Sequence, residues 1–267
     1  MDGTTVTNAQ WVKSYGSDWD IAAVEDFNAD GKADILWKND ALRMTMIWQM
    51  DGTSVEASPW VKSFAAGWEI AAVADFNGDR KADILWQSSA QQQTMIWEMD
   101  GTVVSNSRWV KQYSSGWEIA AVADFNGDEK ADILWKNSAL MMTMIWEMDG
   151  TTVTKSSWVK QYASGWDVTE VADFNGDGKS DILWQHAASR NTMIWIMEGT
   201  SVAASPWVKQ YSADWEVVKV ADFNGDGKAD ILWLNPENKW TMIWEMDGTT
   251  VSKSPWVKQF ASGWQAL

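Results

Sequence analysis

The sequence predicts an all-β chain folded as a β-propeller, most simply one of five four-stranded antiparallel blades. Three observations carry that expectation. A stretch reading DFNGDGKADILW at Asp222–Trp233 recurs with its first aspartate at Asp26, Asp75, Asp124, Asp173 and Asp222, a constant step of 49 residues. Self-similarity at such a period marks a solenoid, a propeller or an array. Each period holds four short runs rich in Val, Ile, Trp and Thr with period-2 alternation, the pattern of strands. No segment has the length, caps or 3.6-residue period of a helix.

Taken in order from Trp68, the four strands are expected over residues 69–75, 82–86, 94–99 and roughly 103–113, the last with a kink near Ser107. In the third strand of the last copy, Met242, Trp244 and Met246 share one face, while Thr241, Ile243 and Glu245 share the other. The Asp247-Gly248 dipeptide that follows is a hairpin turn. Four antiparallel strands in a repeat of this length make a propeller blade, and an array of blades hides its edges by closing.

The terminal segments 1–22 and 246–267 are copies of one element, so there are five copies of strands one to three and six of the fourth. One terminal copy is redundant, or pairs in trans, or the ring is larger and shared between chains. The N-terminal copy is expected to complete the last blade. The chain is thus a monomer or a strand-exchanged oligomer.

Composition narrows the function. By length, 267 residues fit one or two domains, but copies of one unit must bury their cores against one another, which gives a single propeller over 1–267. Without cysteine there is no disulfide framework or thiolate metal site. No apolar run approaches a membrane span, and the first residues do not read as a signal peptide. A net charge of −16 with no basic stripe argues against nucleic acid. The acidity is concentrated in five loops, 26–34, 75–83, 124–132, 173–181 and 222–230.

Each loop reads D-x-N-x-D-x-x-x-D, with Gly at the sixth position in three copies. Calcium takes six to eight oxygens, which alternating side chains in a tight loop can supply, and a glycine at the sixth position permits a positive φ. The candidate ligands are Asp26, Asn28, Asp30, the carbonyl of Lys32 and Asp34; Asp75, Asn77, Asp79, Lys81 and Asp83; Asp124, Asn126, Asp128, Lys130 and Asp132; Asp173, Asn175, Asp177, Lys179 and Asp181; and Asp222, Asn224, Asp226, Lys228 and Asp230. Arg80 and Glu129 replace the sixth-position glycine, so those two loops are expected to be distorted or weaker. Ala29 replaces the fourth-position glycine and is expected to matter less. Asp, Asn and Gly also suit a bare turn, but all fifteen aspartates are retained, whereas such a turn tolerates Ser, Lys or Thr. Clustered carboxylates would repel one another without a cation.

Position twelve is Trp rather than the bidentate Glu of an EF-hand, and the flanks are strands. The pattern resembles the FG-GAP/VCBS class of calcium-binding propeller repeats, found in integrin α-subunits, some mushroom lectins and bacterial extracellular proteins. It spans essentially the whole chain as five matches to DFNxDxxxDILW. The resemblance implies a structural Ca²⁺ in each loop between the first two strands. Calcium at extracellular levels in turn suggests a secreted or cell-surface protein.

Two tryptophan series, 37, 86, 135, 184, 233 and 48, 97, 146, 195, 244, read as inter-blade core. Two others do not. One is the W-V-K series from Trp11 to Trp256. The other follows a short turn: Trp19, Trp68, Trp117, Trp166, Trp215 and Trp264. In an up-and-down blade, these turns share a face with the variable loops 38–44, 87–93, 136–142, 185–191 and 234–240. A constant scaffold bearing variable polar loops beside aromatic rings is what a binding face looks like. Sugars stack on Trp, so Trp19, Trp68, Trp117, Trp166, Trp215 and Trp264 are the candidate ligand contacts. His186 reads as an ordinary surface residue, with no partner for catalysis. No nucleophile elbow, phosphate loop or catalytic dyad is present. The expectation is a calcium-stabilised carbohydrate-binding module and not an enzyme; the alternative is an extracellular protein-interaction or purely structural propeller.

Overall fold

A computed structural model describes residue 9 and residues 11–259. Their elements are strands. Blade one holds β1 (Asp20–Glu25), β2 (Asp34–Asn39), β3 (Met44–Asp51), β4 (Ser54–Ala57) and β5 (Trp60–Ser63). Blade two holds β6 (Glu69–Ala74), β7 (Asp83–Ser88), β8 (Gln93–Asp100) and β9 (Val103–Gln112). Blade three holds β10 (Glu118–Ala123), β11 (Asp132–Asn137), β12 (Met142–Asp149) and β13 (Thr152–Gln161). Blade four holds β14 (Trp166–Ala172), β15 (Asp181–His186), β16 (Asn191–Glu198), β17 (Ser201–Ala204) and β18 (Trp207–Gln210). Blade five holds β19 (Glu216–Ala221), β20 (Asp230–Asn235), β21 (Trp240–Asp247), β22 (Thr250–Lys253) and β23 (Trp256–Gln259). Each sheet is ordered as its sequence, β6-β7-β8-β9 in blade two for example. The fold is a five-bladed β-propeller. Among the described residues no helix is long and apolar enough to cross a membrane.

The chain divides into two compact units. The first comprises Met1–Ser115 with the hairpin tip Met148–Val153, and the second comprises Gly116–Glu147 with Thr154–Leu267. In the first unit, Phe27, Leu36 and Ile47 of blade one pack with Ile84, Trp86, Trp97 and Met99 of blade two. In the second, Phe125, Leu134 and Ile145 pack with Ile182, Trp184, Trp195 and Met197. Phe174, Leu183 and Ile194 then pack with Ile231, Trp233, Trp244 and Met246. The same residue types meet at these three joints, each with one member of both core tryptophan series, as their alternation predicts.

The kink of the fourth strand has a local cause. In blades one, four and five the strand is broken before Trp60, Trp207 and Trp256, where Pro59, Pro206 and Pro255 have no N–H for the ladder. The proline carbonyls still accept from Ile47, Ile194 and Ile243. In blade two Arg108 stands there, pairs with Ile96, and the strand runs on.

The last blade takes its fourth strand from the C-terminal copy, not from the N-terminal one. Met246 pairs with Val251, and Met242 with Trp256. The two-residue Gly248-Thr249 turn delivers that copy directly to β21, so little loop entropy opposes the pairing. Residues 11–19 form no strand and pack on blade one instead. Tyr15 lies 4.5 Å from the Trp37 ring, and the Lys13 ammonium sits 5.4 Å above Trp48. The rest of the two terminal copies, Trp264 included, lies outside the described residues.

Candidate metal loops and tryptophan clefts

In the β19–β20 loop the first aspartate organises the turn. Asp222 Oδ1 accepts the N–H of Asn224, Gly225 and Asp226 at 3.2, 2.6 and 3.3 Å, and its Oδ2 accepts Gly227 N–H at 2.9 Å. Asn224 Oδ1 then accepts Asp226 N–H, and Asp226 Oδ1 accepts Lys228 N–H, both at 2.9 Å. Short polar side chains that bond the backbone two residues on are the reason these positions are Asp and Asn. The amides, Gly227 foremost, hold the Asp222 carboxyl below its ordinary range.

Arg80 and Glu129 do not distort their loops. They adopt φ of 66° and 64°, and their N–H groups reach Asp75 and Asp124 Oδ2 at 2.6 and 2.8 Å, as Gly227 does to Asp222. The first-position carboxylate is strong enough an acceptor to hold a non-glycine residue in the left-handed region. Ala29 also has φ of 61°, so the fourth position demands that conformation as much as the sixth.

The ninth aspartate behaves differently. It opens the second strand and is fully buried at Asp34, Asp83, Asp132, Asp181 and Asp230. Asp83 Oδ2 accepts Phe76 N–H at 3.1 Å and its Oδ1 accepts Met99 N–H at 2.8 Å. Asp34, Asp181 and Asp230 repeat both bonds. The carboxylate thus pins the loop to the third strand. Burial pushes the Asp83 and Asp181 carboxyls up to about 7, against the pull of those two amides.

Among the described residues, no three His, Cys, Asp or Glu side chains form a metal-holding group. The donor chemistry nevertheless fits a hard cation at positions one, three and five. These are oxygen donors on one tight turn, and a carboxylate oxygen bonded to one amide keeps a further lone pair. The third and fifth side chains already meet: the Asn28 amide donates to Asp30 Oδ2 at 3.4 Å, and the Asn175 amide to Asp177 Oδ2 at 3.0 Å. The seventh residue sends its ammonium to the neighbouring hairpin, although that of Lys32 also lies 3.8 Å from Asp30. Lys32 meets Asp51 at 3.0 Å, Lys81 meets Asp100 at 2.6 Å, and Lys179 and Lys228 meet Glu198 and Asp247. Each pair ties the carboxylate loop to the β-hairpin beside it, so both turns lie at one end of the blade.

These loops also join neighbouring blades. The Asp26 carbonyl accepts Ala82 N–H at 2.8 Å, and the Phe27 carbonyl accepts Gly101 N–H at 2.9 Å. Asp124 with Ser180, Phe125 with Gly199, and Asp173 with Ala229 repeat the joint in the second unit.

The tryptophans form clefts away from those turns. Trp19, Trp68, Trp117, Trp166 and Trp215, the expected ligand contacts, are recessed: Trp68 is 4% exposed and the others half-buried. Each supports the edge of a W-V-K tryptophan. Trp19–Trp60, Trp68–Trp109, Trp117–Trp158, Trp166–Trp207 and Trp215–Trp256 are T-shaped pairs with centroids 5.1–5.4 Å apart. The outer rings are 54–63% exposed. The sequence set this W-V-K series apart from the core but did not place it among the ligand contacts. Its signal was a Trp alternating with Lys on the outermost strand, where one ring face has no neighbouring strand to cover it.

One such cleft, of about 210 Å³, is lined by Lys209, Tyr211, Trp215, Met242, Trp244 and Trp256. His186 is half-buried rather than a plain surface residue. Its Nδ1 accepts Ser189 N–H at 3.1 Å, and its ring meets Trp166 edge-on.

The FG-GAP-like repeat model matches residues 26–86, 75–135 and 173–233, more than half of the chain. This chain belongs to that family. No curated protein matches it in sequence. In structure it is similar to virginiamycin B lyase from Staphylococcus aureus, at 9% identity and a TM-score of 0.54, covering 88% of this chain and 69% of that one. It is also similar to a Photorhabdus luminescens Tc holotoxin pore, at 14% identity and 0.57, covering 92% of this FG-GAP chain and 13% of the toxin chain. A chain of a nidogen/laminin complex matches at 12% identity and 0.51, over 86% of this chain and 78% of that one. At such identities these likenesses show the propeller fold alone.

Proposed function

We propose that this FG-GAP propeller is a secreted or cell-surface binding module, stabilised by Ca²⁺ in its carboxylate loops, that holds carbohydrate in repeated tryptophan clefts. The carrying observation is the exposed tryptophan of each blade, supported edge-on by a recessed one. A rigid ring with one open face suits the apolar face of a pyranose, and the flanking Gln, Ser and Lys supply hydrogen bonds. Equivalent clefts act together by avidity, which lets weak single contacts retain a polymer. Repetition also favours binding over catalysis, because five like sites are an odd way to build one reaction centre.

For calcium, the support is the oxygen-only donor set at positions one, three and five, already folded by its own amides. When bound, the ion would neutralise carboxylates that otherwise repel and would stiffen the turn. Asp222, Asn224 and Asp226 would hold it in blade five, with the Lys228 carbonyl as a further donor; Asp230 keeps its backbone partners.

A glycan array followed by retention on a sugar column tests the binding reading. Weak, multivalent retention lost on changing Trp109, Trp158 and Trp207 together to Ala is expected. Silence on every glycan, with capture of one protein instead, would replace it with the protein-binding alternative. Calcium is checked apart, by melting in chelator and then in added Ca²⁺.

A further inference from the structure

Several lysines of this acidic chain pair with carboxylates, whereas four lysines of the W-V-K segments sit over tryptophan rings. Lys32, Lys81, Lys179 and Lys228 of the carboxylate loops are each tied to a hairpin acid, and Lys38, Lys136, Lys155 and Lys253 also pair with carboxylates. Lys62 and Lys209 have no carboxylate at ion-pair distance among the described residues. Their ammonium groups lie 5.1 and 5.2 Å from the centres of the Trp97 and Trp244 rings. Lys13 and Lys160 hold the same place over Trp48 and Trp195, and among the described residues each donates to a serine hydroxyl, Ser58 or Ser205. A cation held over an aromatic face keeps donors free on its outer side.

Lys209 and the exposed Trp256 line one cleft, so a stacking face and an unneutralised ammonium are offered together. We infer that the clefts select anionic saccharides, whose pyranose ring lies on the outer tryptophan and whose carboxylate or sulfate meets the lysine. This rests on the carbohydrate reading above and adds the class of sugar. The net charge of −16 opposes an anion at long range, so capture depends on the short-range lysine contact. The repetition matches a polymer carrying an acid group at regular intervals.

The test compares four soluble probes by calorimetry at fixed salt: a hyaluronan hexasaccharide, its carboxyl methyl ester, a heparin-derived hexasaccharide and maltohexaose. The hyaluronan and heparin arms separate carboxylate from sulfate as the anion. Two variants accompany them, with Lys62, Lys111, Lys160, Lys209 and Lys258 changed together to Gln or to Arg, and melting temperatures are recorded. An acidic probe should bind about tenfold or more tightly than the ester and maltohexaose, as expected for a hydrogen bond to a charged group. The Gln variant should lose that advantage while folding normally, and the Arg variant should keep it. Ester or maltohexaose binding as tight as the acids, unchanged in the Gln variant, overturns the anionic class and leaves the carbohydrate reading standing. No binding of any probe, together with no glycan on the array, overturns both.

Discussion

The two ends of a blade use their charged groups in opposite ways. At the hairpin end the charged groups find partners within the blade. The first aspartate serves four amides, the ninth serves two, and the seventh-position lysine meets a hairpin acid. At the tryptophan end, Lys62 and Lys209 meet no carboxylate among the described residues, and the outer indole is more than half exposed. The sequence is equally regular at both ends, so regularity does not separate scaffold from binding face. What separates them is whether a repeated group finds its partner within the blade.

The sharpest way to break this comparison lies within one loop. Asp181→Ala should cost about 3 kcal/mol whether or not calcium is present, because it orphans the buried Phe174 and Met197 amides. Asp177→Ala loses the exposed turn bond to Lys179 N–H, so it should cost about 1 kcal/mol in chelator and act mainly on the calcium-dependent part of the melting temperature. Equal behaviour of the two variants in chelator would show that the ninth position is no pin. Next in size, calcium at about a hundredfold over its dissociation constant should add about 2.7 kcal/mol by linkage, seen as a melting shift that chelator reverses. A flat melting temperature across that titration would remove calcium from the account. Arg80→Gly should then stabilise by about 1 kcal/mol in denaturant unfolding, by relieving a left-handed φ. Smallest for stability is Trp207→Ala, at about 1 kcal/mol or less for a lost edge contact, while glycan retention falls. Loss of the fold in that variant would place Trp207 in the core and not at a binding face.

Much of the fold was legible because the repeat is uninterrupted and the strands alternate. Asp83 was harder. Its spacing in the loop is that of a ligand, and spacing does not say which way a side chain points. The apolar run Ile84-Leu85-Trp86 that follows is buried on both faces of the strand, and Asp83 is buried with it whichever way it points. Trp68 was misplaced as a surface contact because a turn precedes it. Packing of the chain as it passes from Phe64 to blade two draws the ring inward. Pro59, Pro206 and Pro255 are visible in the sequence and mark where three fourth strands break, whereas the kink expected near Ser107 is absent from β9, which runs unbroken from Val103 to Gln112.

The backbone joints between carboxylate loops and the next blade bear on how such a chain can change over time. The Asp26 and Phe27 carbonyls fit the amides of Ala82 and Gly101 only while both turns keep their residue count. One extra residue in a turn would misalign two couplings at once, whereas a whole added copy brings its own matching halves. Growth by duplication of entire units is therefore mild, and growth by small insertions there is not, which accounts for a spacing that never slips by even one residue.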